Sequence, residues 1–313
     1  MEKLIDPIPL QIIESELTPN KFVRKTNYGN NDIYIFNHHN SPYLTLEVGR
    51  LRELTFRKAG GGTGKSYDLD NFDLQDVPYN QLIVWSPTDK MIVGGYRFLI
   101  GRKASIDELG NIRLATYKLF NFSDKFIKEY LPYTIELGRS FVHPEYQSGQ
   151  SSRKSIFALD NLWDGLGAIV VGNPDMHYFF GKVTMYAHFN QKARNILLYF
   201  IKKHFPDNDN LLTLIEPLEL EFDILEMEKM FPSNNYNENK RILNSELRKL
   251  GENVPPLINA YMNLSPTMRT FGTSLNRDFG NVEETAILID IRDIYKSKID
   301  RHISTYINNQ SVR

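Results

Sequence analysis

Acids and arginines recur along this chain in four short patterns. They are Arg52-Glu-Leu-Thr-Phe56, Asp68-Leu-Asp70-Asn-Phe-Asp73, Val93-Gly-Gly-Tyr-Arg97 and Glu136-Leu-Gly-Arg-Ser-Phe-Val142, the last running into His143-Pro-Glu-Tyr-Gln147. Carboxylates in such a set can take a proton from a reacting group or hold an ammonium, and arginines can clamp a carboxylate through paired N–H donors. Glu136 and Arg139 are three residues apart, which puts them on opposite faces of a regular strand. A bulge at Gly138 would bring both to one side, and bulges are common beside active sites. A bulge is therefore expected there.

Other reactive arrangements are missing. The chain has no cysteine, so it holds no disulfide framework, Cys-rich zinc site, CxxC pair or thiol nucleophile. His177, His188, His204 and His302 lack metal-ligand spacing and no HExxH occurs, so a zinc hydrolase is disfavoured and no metal is expected. Ser140 lies in no GxSxG elbow. The net charge, 37 − 38 = −1, argues against a general nucleic-acid binder. Ala59-Gly-Gly-Gly-Thr-Gly-Lys65-Ser66 fits a relaxed phosphate-loop pattern, but that loop needs a buried strand before it and a helix starting at the Lys-Ser. Here the preceding segment reads as a helix and the following one is dense in acids. A flexible, substrate-covering loop is the better reading.

The elements that must position these residues are legible in the apolar spacing. Strands are expected over Asp32–Phe36, Gln81–Trp85, Met91–Leu99, Ile112–Leu119 and Tyr133–Val142, with a short one at Tyr178–Gly181. Helices are expected over Leu44–Arg57, 156–171, Gln191–His204, 257–263 and 291–307, and β-prone stretches near 268–274 and 285–289. Residues 1–30 read as an arm or short helix, and 223–252 as a two-helix insertion in a single mixed α/β domain spanning 31–313. No apolar run approaches the 18 or so residues needed to span a bilayer, which points to a soluble, intracellular protein.

At the four patterns the chain resembles the acyltransferase branch of the GNAT superfamily. It is most similar to the ornithine- or glycine-lipid N-acyltransferases, often labelled hemolysins, and to their cousins the acyl-homoserine-lactone synthases. The resemblance covers about 45–290 and includes Val254-Pro-Pro-Leu-Ile-Asn-Ala-Tyr261 and Asn276-Arg-Asp-Phe279. ELGRSF-x-x-PEYQ and TFRKAGGGTG look most like the glycine-lipid branch of Bacteroidetes-like bacteria. Two positions depart from the pattern: Gln81-Leu82 replaces the usual His-Leu, and Ser86 the usual Asp.

The resemblance implies a GNAT fold, an α/β mixed sheet with two splayed central strands, and a thioester-to-amine acyl transfer. Its donor would be a 4′-phosphopantetheine thioester on acyl carrier protein or coenzyme A, carrying a 3-hydroxylated fatty acyl group. Its acceptor would be the amine of glycine or ornithine. Phe141, Val142, Gln147, Gly149, Ser151, Ser152 and Arg153 would hold the arm, with Lys154 adding charge at the cleft mouth for an acidic carrier. An ordinary strand-to-helix turn with a Ser cap is the plainer reading of that loop alone. Glu136 is the first candidate for general base, directly or through a water, and Arg139 would orient a carboxylate. Asp70 and Asp73 could bind the acceptor's ammonium, and Arg52, Arg97 and Phe56 complete its pocket; a purely structural role as fold glue is the lesser reading of Arg52 and Arg97.

Two other readings remain open: an acyl-homoserine-lactone synthase, and a non-catalytic module binding acyl groups or carrier proteins. A cytoplasmic enzyme is expected in either enzymatic case. Lys202-Lys203 and Lys296/Lys298/Arg301 read as solvated helix faces or as a peripheral contact with anionic lipid at the membrane's inner face.

Overall fold

The computed structural model describes residues 1–108, 110–147, 157–220 and 222–310. Eight strands form one sheet: β1 (Phe22–Lys25), β2 (Asp32–Phe36), β3 (Asn80–Ser86), β4 (Met91–Ile100), β8 (Thr134–Val142), β9 (Tyr178–Met185), β11 (Arg269–Asn276) and β12 (Val282–Asp290). Their order is β1-β2-β3-β4-β8-β9-β12-β11. Every neighbouring pair is antiparallel except β8 and β9. Two small ribbons sit outside it: β5 (Ser105–Ile106) with β6 (Ile112–Arg113), and β7 (Phe120–Phe122) with β10 (Leu212–Leu214).

The helices are α1 (Leu10–Glu16), α2 (Pro42–Lys58), α3 (Asn71–Leu74), α4 (Ala158–Gly172), α5 (Gln191–His204), α6 (Ile224–Met230), α7 (Tyr236–Lys249), α8 (Pro256–Met262), α9 (Lys296–Ile299) and α10 (Thr305–Gln310). Strand alternation sends the two faces of the sheet to different cores. Leu82, Val84, Phe98, Leu137 and Val183 pack with Leu162 and Leu166 of α4 and Ile196 and Phe200 of α5. Ile83 and Phe141 face the other way, against Leu44, Val48 and Leu51 of α2. On that second face Leu99, Phe180 and Leu288 meet Leu114, Phe120 and Phe126.

Four expectations change. The strand expected over Ile112–Leu119 stops at Arg113, because residues 114–119 turn twice, with Tyr117 N donating to Leu114 O and Leu119 N to Thr116 O. That coil drapes the backbone over Glu136 rather than extending the sheet. The short strand at Tyr178–Gly181 runs on to Met185 because β12 pairs its whole length. The last helix is interrupted by a turn of π-helix at Asp300–Ser304 and starts only at Lys296. Among residues 1–30, Phe22–Lys25 pairs with β2 as the sheet's edge strand.

The feature that matters for function is where β8 and β9 part. Their parallel pairing covers only Thr134–Leu137 against Tyr178–Gly181, although both strands continue. Glycine is required at the fork, since a Cβ on Gly181 would lie 2.6 Å from Leu137 O. Among the described residues, no helix is long and apolar enough to cross a membrane.

Candidate active site

The fork is reinforced by a bulge. On β4 and β8, Arg97 pairs with Gly138 but Gly95 pairs with Phe141, so Tyr96 faces both Arg139 and Ser140. Arg139 absorbs the extra residue in the left-handed region, φ 50°. The bulge expected at Gly138 thus falls one residue further on, and it does bring Arg139 to the face that carries Glu136. It also explains Val93-Gly-Gly-Tyr: a Cβ on Gly94 would sit 2.5 Å from Phe141 O.

On that face α2, the 68–73 segment and β4 build a buried ion network. Asp68 Oδ2 lies 2.7 Å from Arg139 Nε. Asp70 caps α3, accepting from Phe72 N at 2.9 Å, and meets Arg97 Nη1 at 2.9 Å. Asp73 accepts from Arg52 Nη1 at 3.2 Å, Arg97 Nη1 at 2.9 Å and Gln81 Nε2 at 2.9 Å. Gln81 also accepts from Arg52 Nη2, so the residue that departs from the family pattern is fully used. Burial would raise Asp73, but Arg52 and Arg97 outweigh it and hold this carboxyl well below its ordinary range. Burial alone would lower Arg97; Asp70 and Asp73 reverse that and raise it. Arg52 is lowered by its complete burial.

Glu136 lies deeper. It is 1% exposed and accepts from the Tyr79 hydroxyl, from Thr116 Oγ1 at 2.9 Å and from Ala115 N at 3.4 Å. Burial raises its pKa, opposed by the Tyr79 and Thr116 hydrogen bonds. Burial and Glu136 together push Tyr79 well above the usual phenol range.

Two cavities open beside these groups. One, about 520 Å³, occupies the fork between β8 and β9 and is walled by Phe56, Ser140, Phe141, Val142, Gln147, Leu159, Thr184, Tyr186, Glu284 and Pro255–Leu257. Its lining is mainly apolar, with the backbone of the unpaired part of β8 along one side. The other, about 1120 Å³, is more polar and is bordered by Asp70, Phe72, Arg97, Tyr117, Lys118, Asn276 and Arg277. Arg139, Lys182 and Phe279 border both. The Arg139 guanidinium lies 4.3 Å above the Phe279 ring. An extended arm in the first cavity would therefore present its end to a charged acceptor in the second.

The candidates named from sequence divide by position. Phe56, Phe141, Val142 and Gln147 wall the fork cavity, Asp70 and Arg97 border the polar one, and Arg139 borders both. Arg52, Asp73 and Glu136 border neither; they are buried behind the wall. Gly149, Ser151, Ser152, Arg153 and Lys154 lie outside the described residues. Sequence reasoning missed Lys182 and Glu284, whose side chains bond each other at the junction. Their one signal was a charge set inside an otherwise apolar strand, in FFGKVT and VEETAIL.

The glycine-rich loop is not the free cover expected. Thr63 N and Gly64 N donate to Glu53 at 2.9 and 2.7 Å, and Glu2 N donates to Gly64 O at 2.8 Å. The amides that could have cradled a phosphate are held by the chain's own carboxylate, and the loop is pinned. Two of the cations considered for lipid contact are paired as well, Lys296 with Asp300 and Arg301 with Asp160. Among the described residues, no group of three or more His, Asp or Glu could hold a metal ion.

The chain is similar to several known proteins. The acetyltransferase (GNAT) domain family matches residues 51–155. A glycine N(alpha)-acyltransferase of Bacteroides thetaiotaomicron is 54% identical over 309 residues, 99% of this chain and 92% of that protein. One from Phocaeicola vulgatus is 52% identical over 307 residues, 98% of this chain and 94% of that protein. Among solved structures, a CoA-dependent acyl-homoserine lactone synthase with SAM and isopentyl-CoA aligns over 88% of this chain and 89% of its own, at 12% identity and a TM-score of 0.39.

Proposed function

The chain belongs to the glycine N(alpha)-acyltransferase family of GNAT-fold acyltransferases, and from that premise we propose that it acylates the amine of glycine with a 3-hydroxylated fatty acyl group, in amino-acid lipid biosynthesis. The donor in this reading is the phosphopantetheine thioester of an acyl carrier protein. The observation that carries it is the pair of cavities meeting at Arg139, Lys182 and Phe279.

The arm lies in the fork, where the unpaired edge of β8 beyond Leu137 offers backbone groups to its amides and the apolar walls exclude water. Backbone N–H groups on the same splayed strand hold the oxyanion as the amine attacks the thioester carbon directly, with no acyl-enzyme. On the polar side, Asp70 is the carboxylate that faces the acceptor's ammonium, and Arg97 and Arg139 hold its carboxylate. Asp73, Arg52 and Glu136 support these groups from behind: Asp73 and Arg52 fix the Asp70–Arg97 pair, and Glu136 fixes Tyr79 and the 115–116 turn.

A carrier protein is favoured over free coenzyme A by the surface of α7. Exposed Arg241, Arg248 and Lys249 of α7 line a hollow of about 620 Å³, and the chain then leads from α7 to Pro255–Leu257 on the rim of the fork. Arg241 and Arg248 pair with no carboxylate among the described residues, so an acidic carrier would meet unneutralised charge. A cytoplasmic enzyme meeting anionic lipid through Lys202 and Lys298 belongs to the same reading, since its product is a lipid.

The test is incubation with 3-hydroxyacyl carrier protein and single amino acids, followed by mass spectrometry of the lipids. N-acylglycine is expected. Acylation of ornithine alone would move the acceptor assignment, and acylation of nothing would favour a binding module.

A further inference from the structure

We propose that Lys182 is the general acid of the transfer, delivering a proton to the sulfur that leaves, and that Glu284 recharges it. This rests on the reading of the fork as the site of the arm. Lys182 is the first β9 residue beyond Gly181, where pairing with β8 ends. With Arg139 and Phe279 it stands between the two cavities, where the thioester must lie for an amine in one to reach a carbonyl from the other. Its side chain is only 12% exposed and its ammonium is bound to Glu284. Glu284 is itself anchored by Thr184 Oγ1 at 3.2 Å and Asn276 Nδ2 at 2.8 Å.

The neighbours are unsuited to the task. Arginine as a residue type is a fixed charge and a poor proton donor. Burial, with Glu284 adding to it, pushes the Tyr186 phenol up to about 12. Lys182 is driven the other way: burial lowers it, Arg139 and Arg97 lower it further, and Glu284 opposes them. The groups acting on this ammonium are thus Glu284 on β12, Arg139 on β8 and Arg97 on β4. An acid made more willing than an ordinary lysine sits where a thiolate, whose thiol has an ordinary pKa of about 8.5, must depart.

The step balances. The neutral amine forms the C–N bond at the thioester carbon and passes its surplus N–H proton to the carboxylate on the polar side. The C–S bond breaks with its electron pair on sulfur, and Lys182 Nζ gives sulfur a proton. Neutral Lys182 regains a proton from solvent by way of Glu284, and the carboxylate returns the one it took to solvent, leaving amide and thiol.

Leaving-group dependence tests this. Lys182→Arg keeps the charge and the bond to Glu284 but cannot give up a proton; Lys182→Met removes both. With a 3-hydroxyacyl pantetheine thioester and glycine, both variants should lose about 10²-fold in kcat. With the same acyl group on 4-nitrothiophenol, a leaving group that needs no proton, the loss should be under about fivefold. Equal losses with both donors, or full activity in Lys182→Arg, overturn the assignment. Independently, the wild-type kcat should fall by one proton as pH rises past the Lys182 pKa, and a limb that survives in Lys182→Arg also overturns it. Wild-type protein inactive with both the pantetheine donor and 3-hydroxyacyl carrier protein would instead refute the acyl-transfer reading beneath it.

Discussion

Replacing Asp73 with Asn probes how much of the site's framework is electrostatic. The substitution keeps size and shape, so no cavity term enters. What it removes is the negative charge facing Arg52 at 3.2 Å and Arg97 at 2.9 Å, all three side chains being at most 3% exposed. Arg97 retains Asp70 at 2.9 Å, so the uncompensated charge falls mainly on Arg52, left with Gln81 and the Asp68 carbonyl at 3.4 Å. Breaking one side of a buried pair costs about 3–5 kcal/mol. At roughly 2 °C per kcal/mol for a chain this long, Tm should drop by about 6–10 °C. Asp70→Asn is the control: its carboxylate is 33% exposed and Arg97 keeps Asp73, so screening limits the loss to about 1 kcal/mol.

The pH dependence has a definite sign. The folded pKa of Asp73 is depressed, so its contribution is complete above the unfolded value of about 3.9 and is lost only as pH falls toward the lower folded value. The gap in Tm between wild type and Asp73→Asn, read by circular dichroism, should therefore stay constant between about pH 5 and 8 and narrow only below about pH 4. A gap under about 2 °C, or one that closes between pH 5 and 7, would refute the reasoning.

Three further outcomes are expected. Asp70→Asn should lower kcat by about 10²-fold, and Glu136→Gln at least tenfold less, because only Asp70 borders the polar cavity; the reverse order in steady-state kinetics would return the proton-accepting role to Glu136. Ser140→Trp should fill the fork cavity and raise KM for the acyl donor about tenfold or more while leaving KM for glycine unchanged. Arg241→Glu with Arg248→Glu should reduce kcat/KM about tenfold for a carrier-borne donor and little for a pantetheine donor, the former effect fading with added salt; equal effects on both donors would remove α7 as a carrier contact.

Much of the fold was legible because apolar periodicity reports burial directly: α2, β3, β4, β8 and α5 lie within a few residues of their expected bounds. The 112–119 segment misled because Ile112, Leu114, Leu119 and Phe120 are all buried, and burial in a coiled turn produces the same apolar signal as a strand. The glycine-rich loop misled because the carboxylate that pins it, Glu53, belongs to the helix before it.

By itself, then, the sequence determined which acids and arginines recur in the four patterns, the need for a bulge beside Gly138, and the absence of any protein thiol in the chemistry. Those are properties of residue type and local spacing, and they are written into adjacent positions. Only the tertiary structure decided which acids face a cavity and which stand behind one. Asp70 and Asp73 are three residues apart, yet one caps α3 at the cavity edge while the other points inward to Arg52. Lys182 and Glu284 are 102 residues apart and become one group only because β12 pairs with β9 along its whole length at the point where β8 departs. Which acid reaches a cavity and which strands pair depend on how the sheet is assembled, and no local pattern encodes them.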